Sequence, residues 1–145
     1  MNRYAVIGAG MMGRVIAKDL LETEPDCLVT LLDGSAKTLE GVRAHLRHLQ
    51  ADRITTGTLN VRDLDETSGA LQGHTVAIGA LPHAFALDAL KGAVRAGVSM
   101  VDLVGSKPEL RRDLDAEARE AGVLILPGLG VAPGLSNVLI ARGME

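Results

Sequence analysis

Short apolar runs alternate along the chain with longer stretches in which apolar residues recur every three or four positions. Tyr4-Ala5-Val6-Ile7 is apolar without a break, the pattern of a strand covered on both faces. From Met11 to about Glu22, Met12, Val15, Ile16 and Leu20 fall on one stripe of a helix, and Pro25 follows shortly after to end it. Cys27 to Leu32 reads as a second strand. Ser35 suits the N-cap of a helix to about Leu49, with Leu39, Val42, Leu46 and Leu49 at helical spacing. Thr55 to Val61 predicts a weaker third strand, and Leu64 to Leu71 a short helix or turn. Thr75 to Ala80 is a fourth strand. Phe85 to Ala96 is a helix that turns Leu87, Leu90 and Val94 inward, with Gly97 as its C-cap. Val98 to Val101 is a fifth strand. Pro108 opens a helix to Ala121, closed by Gly122, with Leu110, Leu114 and Ala118 as its stripe and Asp115 and Arg119 as a favourable pair one turn apart. Val123 to Leu126 is a sixth strand. A Gly/Pro loop follows, then a helical segment from about Leu135.

Strands alternating with helices predict a parallel sheet with right-handed crossovers. Six strands at this spacing predict a doubly wound α/β fold, strand order 3-2-1-4-5-6, in three α/β/α layers of the Rossmann kind. At 145 residues the chain has the size of one such domain, covering 1–145. Hydrophobic residues at 47% and charged residues at 23% exclude a disordered chain. The only aromatics are Tyr4 and Phe85, so Leu, Val, Ile, Ala and Met must fill the core. A net charge of −3 without a basic cluster, and so few aromatics, argue against a nucleic-acid partner. The uncharged stretch from Val123 to Ala141 is broken by Pro127, Gly128, Gly130, Pro133 and Gly134, which makes it a poor membrane span. The N-terminus runs straight into a strand, without the pattern of a signal peptide. One cysteine, Cys27, excludes an internal disulfide and fits a reducing compartment, so the expected location is the cytoplasm.

Gly8-Ala9-Gly10-Met11-Met12-Gly13 follows a strand and opens a helix, the context in which G-x-G-x-x-G has physical meaning. Gly8 permits the tight turn. Gly10 lets a pyrophosphate approach the backbone, and Gly13 lets the helix pack on the strand. The helix N-terminus then offers free N–H groups and a positive dipole end to the phosphates. Asp33 ends the second strand 20 residues after Gly13, where a carboxylate can accept both adenine-ribose hydroxyls and repel a 2′-phosphate. That favours NAD over NADP. Asp33 with Gly34 also suits an ordinary turn. Lys37 weakens the preference, since it can swing toward a 2′-phosphate, although a solvated helix charge explains it too.

Gly79-Ala80-Leu81-Pro82 after the fourth strand, and Asp102 at the end of the fifth, should face the same crevice at the carboxyl edge of the sheet. An ordinary turn and a strand-end polar residue are the plainer readings of these positions. Pro127 to Asn137 is a proline- and glycine-stiffened loop at the carboxyl end of the sixth strand. The histidines form no site: His45 and His48 lack the partners of a metal centre, His74 lies in a loop, and His83 suits a helix N-terminus. Cys27 reads as a small core filler.

In four places the chain resembles the nucleotide-binding half of the saccharopine dehydrogenase family, in particular its lysine 6-dehydrogenase-like members. They are Val6-Ile7-Gly8-Ala9-Gly10-Met11-Met12-Gly13, Leu81-Pro82, Val101-Asp102-Leu103 and the loop Pro127 to Asn137. The first is shared by many dehydrogenases, whereas the last is fairly specific. Relatives often carry Gly at the position of Val104 and Cys at that of Leu129. The resemblance implies reversible hydride transfer between a nicotinamide cofactor and a C–N bond of an amino acid. It also implies a further domain that binds substrate and mediates dimerisation, and that this chain lacks. The expected cofactor contacts are Gly8, Gly10, Met11, Met12, Gly13, Asp33 and Gly34 for the dinucleotide, with Ala80, Leu81, Pro82, Asp102, Val131 and Pro133 toward the nicotinamide. No residue stands out as the acid or base, which a two-domain enzyme would supply from its other half. The chain alone is therefore expected to bind NAD without turning over substrate. An apolar patch near Leu129, Val131, Leu135 and Leu139 should mark the docking face, and could drive self-association into a homodimer.

Two other readings fit the same residues. One is a stand-alone NAD(H)-sensing domain of a potassium channel or transporter, which has no need of the Pro127 to Asn137 loop. The other is a cofactor subunit whose catalytic domain is a separate chain.

Overall fold

Continuous apolar runs such as Tyr4 to Ile7 suit strands covered on both faces, and the six strands among the described residues lie in one parallel sheet between helices. The computed structural model describes residues 1–46, 52–104 and 108–144. The elements run β1 (Asn2–Ile7), α1 (Met11–Thr23), β2 (Cys27–Asp33), α2 (Ala36–Leu46), β3 (Ile54–Thr58), α3 (Leu64–Leu71), β4 (Val76–Gly79), α4 (His83–Ala96), β5 (Ser99–Asp102), α5 (Pro108–Glu120), β6 (Ile125–Pro127) and α6 (Leu135–Gly143). The sheet order is β3-β2-β1-β4-β5-β6, as the alternation predicts. The reversal between β2-β1 and β1-β4 puts the ends of β1, β2 and β4 around one switch point.

Alternate side chains of β1 feed two cores. Val6 packs with Ala17, Leu21, Leu39 and Val42 on the side of α1 and α2. Ala5 and Ile7 pack with Leu71, Ala89 and Leu90 on the side of α3 and α4. Each fully buried leucine of this kind contributes roughly 1.5–3 kcal/mol. Cys27 is buried in the first of these cores.

Local signals account for most element boundaries. Oγ of Ser35 accepts the Thr38 amide at 3.2 Å, the expected cap of α2. Leu49 and His48, assigned to that helix from sequence, lie outside the described residues. Asp63 caps α3 by accepting the amides of Asp65 and Glu66. Gly97 ends α4 in the left-handed conformation, with φ +69°. Arg119 Nε donates to Asp115 Oδ2 at 2.8 Å on the exposed face of α5.

Two expectations are corrected. Of the expected stripe on α1, Ile16 and Leu20 pack against the core, but Met12 and Val15 are each 54% exposed, and the fully buried residues are Gly13, Ala17 and Leu21. A Cβ at Gly13 would come within 1.7 Å of the Gly8 carbonyl oxygen, so backbone contact at that glycine fixes which face turns inward. The third strand ends at Thr58 rather than at Val61. Leu59 and Val61 are still buried, but as the turn that leads to α3.

Candidate functional site

The site lies at the carboxyl edge of the sheet, over the ends of β1, β2 and β4. Gly8 leaves β1 with φ +102°, a conformation that favours glycine, and a Cβ there would meet the Ala80 carbonyl oxygen at 2.5 Å. The turn is thus pressed against the exit of β4. Gly8 N–H donates to the Leu32 carbonyl at 2.7 Å, and Ala80 N–H to the Ile7 carbonyl at 2.8 Å. These bonds lock the exits of β1, β2 and β4 together.

Gly10 is different. Its backbone is not left-handed, and a Cβ built on it would meet nothing within 4 Å. The fold does not require glycine there. Gly10 precedes α1 as an N-cap without a side-chain hydrogen bond, and no acidic residue occupies the first turn. The first amides of a helix have no intrahelical acceptor, so this exposed end suits an anion. Met11 and Met12 flank it and are exposed. Arg14 and Lys37 line a shallow recess of about 400 Å³ beside Gly10 and Met11, and bring positive charge to the same corner.

Asp33 ends β2 half-buried. Its Oδ2 accepts the Ala9 amide at 2.8 Å and its Oδ1 accepts the Ser35 amide at 2.8 Å. The carboxylate therefore braces the glycine turn. It also borders a recess of about 640 Å³, together with Gly34, Asn60, Leu81, Pro82 and Phe85. Arg62 stacks over the Phe85 ring, with its guanidinium carbon 4.9 Å from the centroid. An apolar wall of Leu81, Pro82 and Phe85 opposite polar groups is the make-up of a site for a flat, partly polar ring.

The recess gathers Asp33 and Gly34 with Leu81 and Pro82, which the sequence places toward the nicotinamide instead, and the glycine turn and Ala80 adjoin them. Sequence reasoning missed Asn60, Glu66 and Phe85. For Asn60 and Glu66 the signal was present: β3 neighbours β2, so the residues leaving β3 must stand beside Asp33. Glu66 Oε1 accepts the Asn60 amide at 3.2 Å and steadies that turn.

The remaining candidates fall elsewhere. The Asp102 side chain is wholly buried beneath the exits of β4 and β5. Val131 is exposed, and Pro133 borders a second recess, of about 780 Å³, between α5 and the loop after β6. Neither lines the recess that contains Asp33. His74 is tied to the Leu71 carbonyl and the Thr30 hydroxyl, and His83 is exposed at the start of α4. Among the described residues no group of three potential metal ligands occurs, and no helix is long and apolar enough to cross a membrane.

A doubly wound sheet, a glycine turn into an uncapped helix and an acidic residue ending β2 define a dinucleotide-binding domain of the Rossmann class. The sequence matches the family described as saccharopine dehydrogenase NADP binding domain over residues 4–126, and the chain belongs to that family. It is 24% identical over 140 residues to saccharopine dehydrogenase [NADP(+), L-glutamate-forming] of Saccharomyces cerevisiae. That alignment takes in 97% of this chain but 30% of the yeast enzyme. The apo structure of the L-Glu-forming yeast enzyme superposes with a TM-score of 0.84 at 20% identity, over 99% of this chain and 30% of that one. An oxidoreductase from Bacillus cereus shares the fold with a TM-score of 0.65 at 22% identity, over 88% of this chain and 34% of that one. GenD2 from gentamicin A biosynthesis, solved in complex with NAD, does so at 0.63 and 21% identity, over 88% of this chain and 34% of its own. The family description and the yeast enzyme's name both specify NADP, so the expectation of NAD over NADP finds no support in them.

Proposed function

We propose that this chain is the dinucleotide-binding part of an oxidoreductase that transfers hydride between a nicotinamide cofactor and a C–N bond of an amino acid. The observation that carries the reading is the pairing of Gly10 with Asp33. Gly10 is a glycine that the fold does not need, at the open end of α1. Asp33 is joined to that turn through Ala9 and faces the adjoining recess. The pyrophosphate would lie on the amides at the start of α1, within reach of Arg14 and Lys37. The adenosine would enter the Asp33 recess between Pro82 and Asn60. The ring stacks against apolar surface there, and the ribose hydroxyls donate to Asp33.

The same geometry supports NAD as the preferred cofactor. A 2′-phosphate beside the Asp33 carboxylate would meet like charge, and both carboxylate oxygens are held in place by backbone amides. When bound, the cofactor supplies the hydride chemistry, and this chain's task is to hold and orient it.

The substrate domain is proposed to lie outside these 145 residues, because the chain spans 30% of its yeast relative. α6 supports this. None of its residues is buried, and Val138, Leu139 and Ile140 are 64%, 62% and 63% exposed on successive faces. A helix with large apolar side chains on successive faces normally packs against further protein. The chain is accordingly proposed to bind cofactor without oxidising an amino acid by itself.

Titration of the purified chain with NADH, followed by the change in nicotinamide fluorescence, tests the binding. Saturable binding that competes with ADP-ribose supports the reading. No saturation up to millimolar NADH and NADPH removes it.

A further inference from the structure

The exits of β4, β5 and β6 meet around Asp102, β5 and β4 at its buried carboxyl group and β6 at its main-chain carbonyl. Asp102 closes β5 and is 0% exposed. Its Oδ1 accepts the Val104 amide at 3.3 Å, which holds the chain as it leaves β5. Its main-chain carbonyl accepts the Leu129 amide at 3.0 Å, which holds the loop after β6. Toward β4 it lies against bare backbone: a Cβ at Gly79 would stand 2.9 Å from Asp102 Oδ1 and 2.6 Å from Met100 Cε. Leu103 N–H completes the junction by donating to the Gly79 carbonyl at 3.1 Å.

An apolar side chain of the same size would fill this position without the desolvation that an acid suffers on burial. Keeping an acid here makes sense if its hydrogen bonds shape the loops around it. Those loops lie on the far side of the switch point from Asp33, where the second half of a dinucleotide extends.

We infer that Asp102 is a positioning residue, which fixes the strand-exit backbone bordering the nicotinamide half of the crevice without touching the ligand. The inference rests on the proposal that the crevice holds a nicotinamide dinucleotide. It separates Asp102 from Asp33, which serves the adenosine half directly.

Calorimetric titration of the chain with NADH and with ADP-ribose, which lacks the nicotinamide, tests it in Asp102→Leu. Leucine keeps the bulk of the buried side chain but leaves the Val104 amide without that acceptor. The expected result is NADH affinity lowered about tenfold, which corresponds to about 1.4 kcal/mol, with ADP-ribose affinity within about twofold of wild type. Gly79→Ala presses a methyl against the same carboxyl from β4, and should give the same selective loss with Asp102 intact. It carries the test if Asp102→Leu does not fold. Unchanged affinities for both ligands in the folded variants overturn the inference, and so does a parallel loss of both, which marks a purely structural acid. A wild-type chain that binds ADP-ribose but gains nothing from the nicotinamide also overturns it, while leaving adenosine binding at Asp33 intact. A wild-type chain that binds neither ligand overturns the dinucleotide reading itself.

Discussion

The Ala9 amide donates to Oδ2 of Asp33 at 2.8 Å, so the glycine turn after β1 and the acidic end of β2 form one unit. Asp33→Ala should therefore act twice. It leaves the Ala9 amide without its acceptor inside the turn, which lowers stability by about 1–3 kcal/mol. It also removes the acceptor of the ribose hydroxyls, worth about 1.5–3 kcal/mol for a charged partner, so NADH should bind roughly 10- to 100-fold more weakly. Denaturant melts and NADH titrations measure the two effects separately. A variant with wild-type NADH affinity would remove Asp33 from the site.

Gly13 and Gly10 should separate folding from binding. A Cβ at Gly13 would sit 1.7 Å from the Gly8 carbonyl oxygen, while one at Gly10 meets nothing within 4 Å. Gly13→Ala should lower stability by about 3 kcal/mol or more, as strong overpacking does. Gly10→Ala should lower stability by about 1 kcal/mol at most, the preference of a helix N-cap for glycine over alanine, and still lose NADH binding. Thermal melts and titrations of the two variants give the contrast. Gly10→Ala with intact NADH affinity would contradict the placement of the pyrophosphate.

This contrast shows where the sequence was legible. The strand order, the glycine turn and the strand-end Asp33 follow from residue spacing, because a strand–turn–helix unit is a local structure. The inward face of α1 does not follow from hydrophobicity, since the contact that sets it is Gly13 against the Gly8 carbonyl, where no side chain signals it. Asn60 and Glu66 were missed because β3 gives a weak strand pattern, with Gly57 and three threonines in five residues, and Phe85 because it lies on α4 and meets Asp33 only across the recess. Asn60 and Glu66 stand beside Asp33 through the pairing of β3 with β2, which the strand order implies but the residues themselves do not mark. Burial of Asp102 was equally hidden: an acid at a strand end reads as solvent-facing until the exits of β4 and β6 close over it.

The apolar surface of α6 carries its own prediction. Val138 and Leu139 are both more than half exposed. The chain on its own should self-associate with rising concentration and bind a hydrophobic dye. Val138→Glu with Leu139→Glu should abolish both, with NADH affinity within about twofold of wild type because α6 does not border the Asp33 recess. Sedimentation velocity across a concentration series reads this directly. A wild-type chain that stays monomeric and leaves the dye dark would remove the docking role of α6.

The central claim is that this domain holds a nicotinamide dinucleotide at the Gly8–Gly13 turn and Asp33. Its most direct test is thermal unfolding of the wild-type chain and of Asp33→Ala, each with NAD, NADH, NADP and NADPH. A ligand at about 100 times its dissociation constant stabilises by about 2.7 kcal/mol, a shift of several degrees for a domain of this size. The account predicts such a shift for wild type, larger with NAD and NADH than with NADP and NADPH, and cut to about half or less in Asp33→Ala. A larger shift with the phosphorylated pair would reverse the assigned preference while keeping the site. No shift with any of the four would contradict the account.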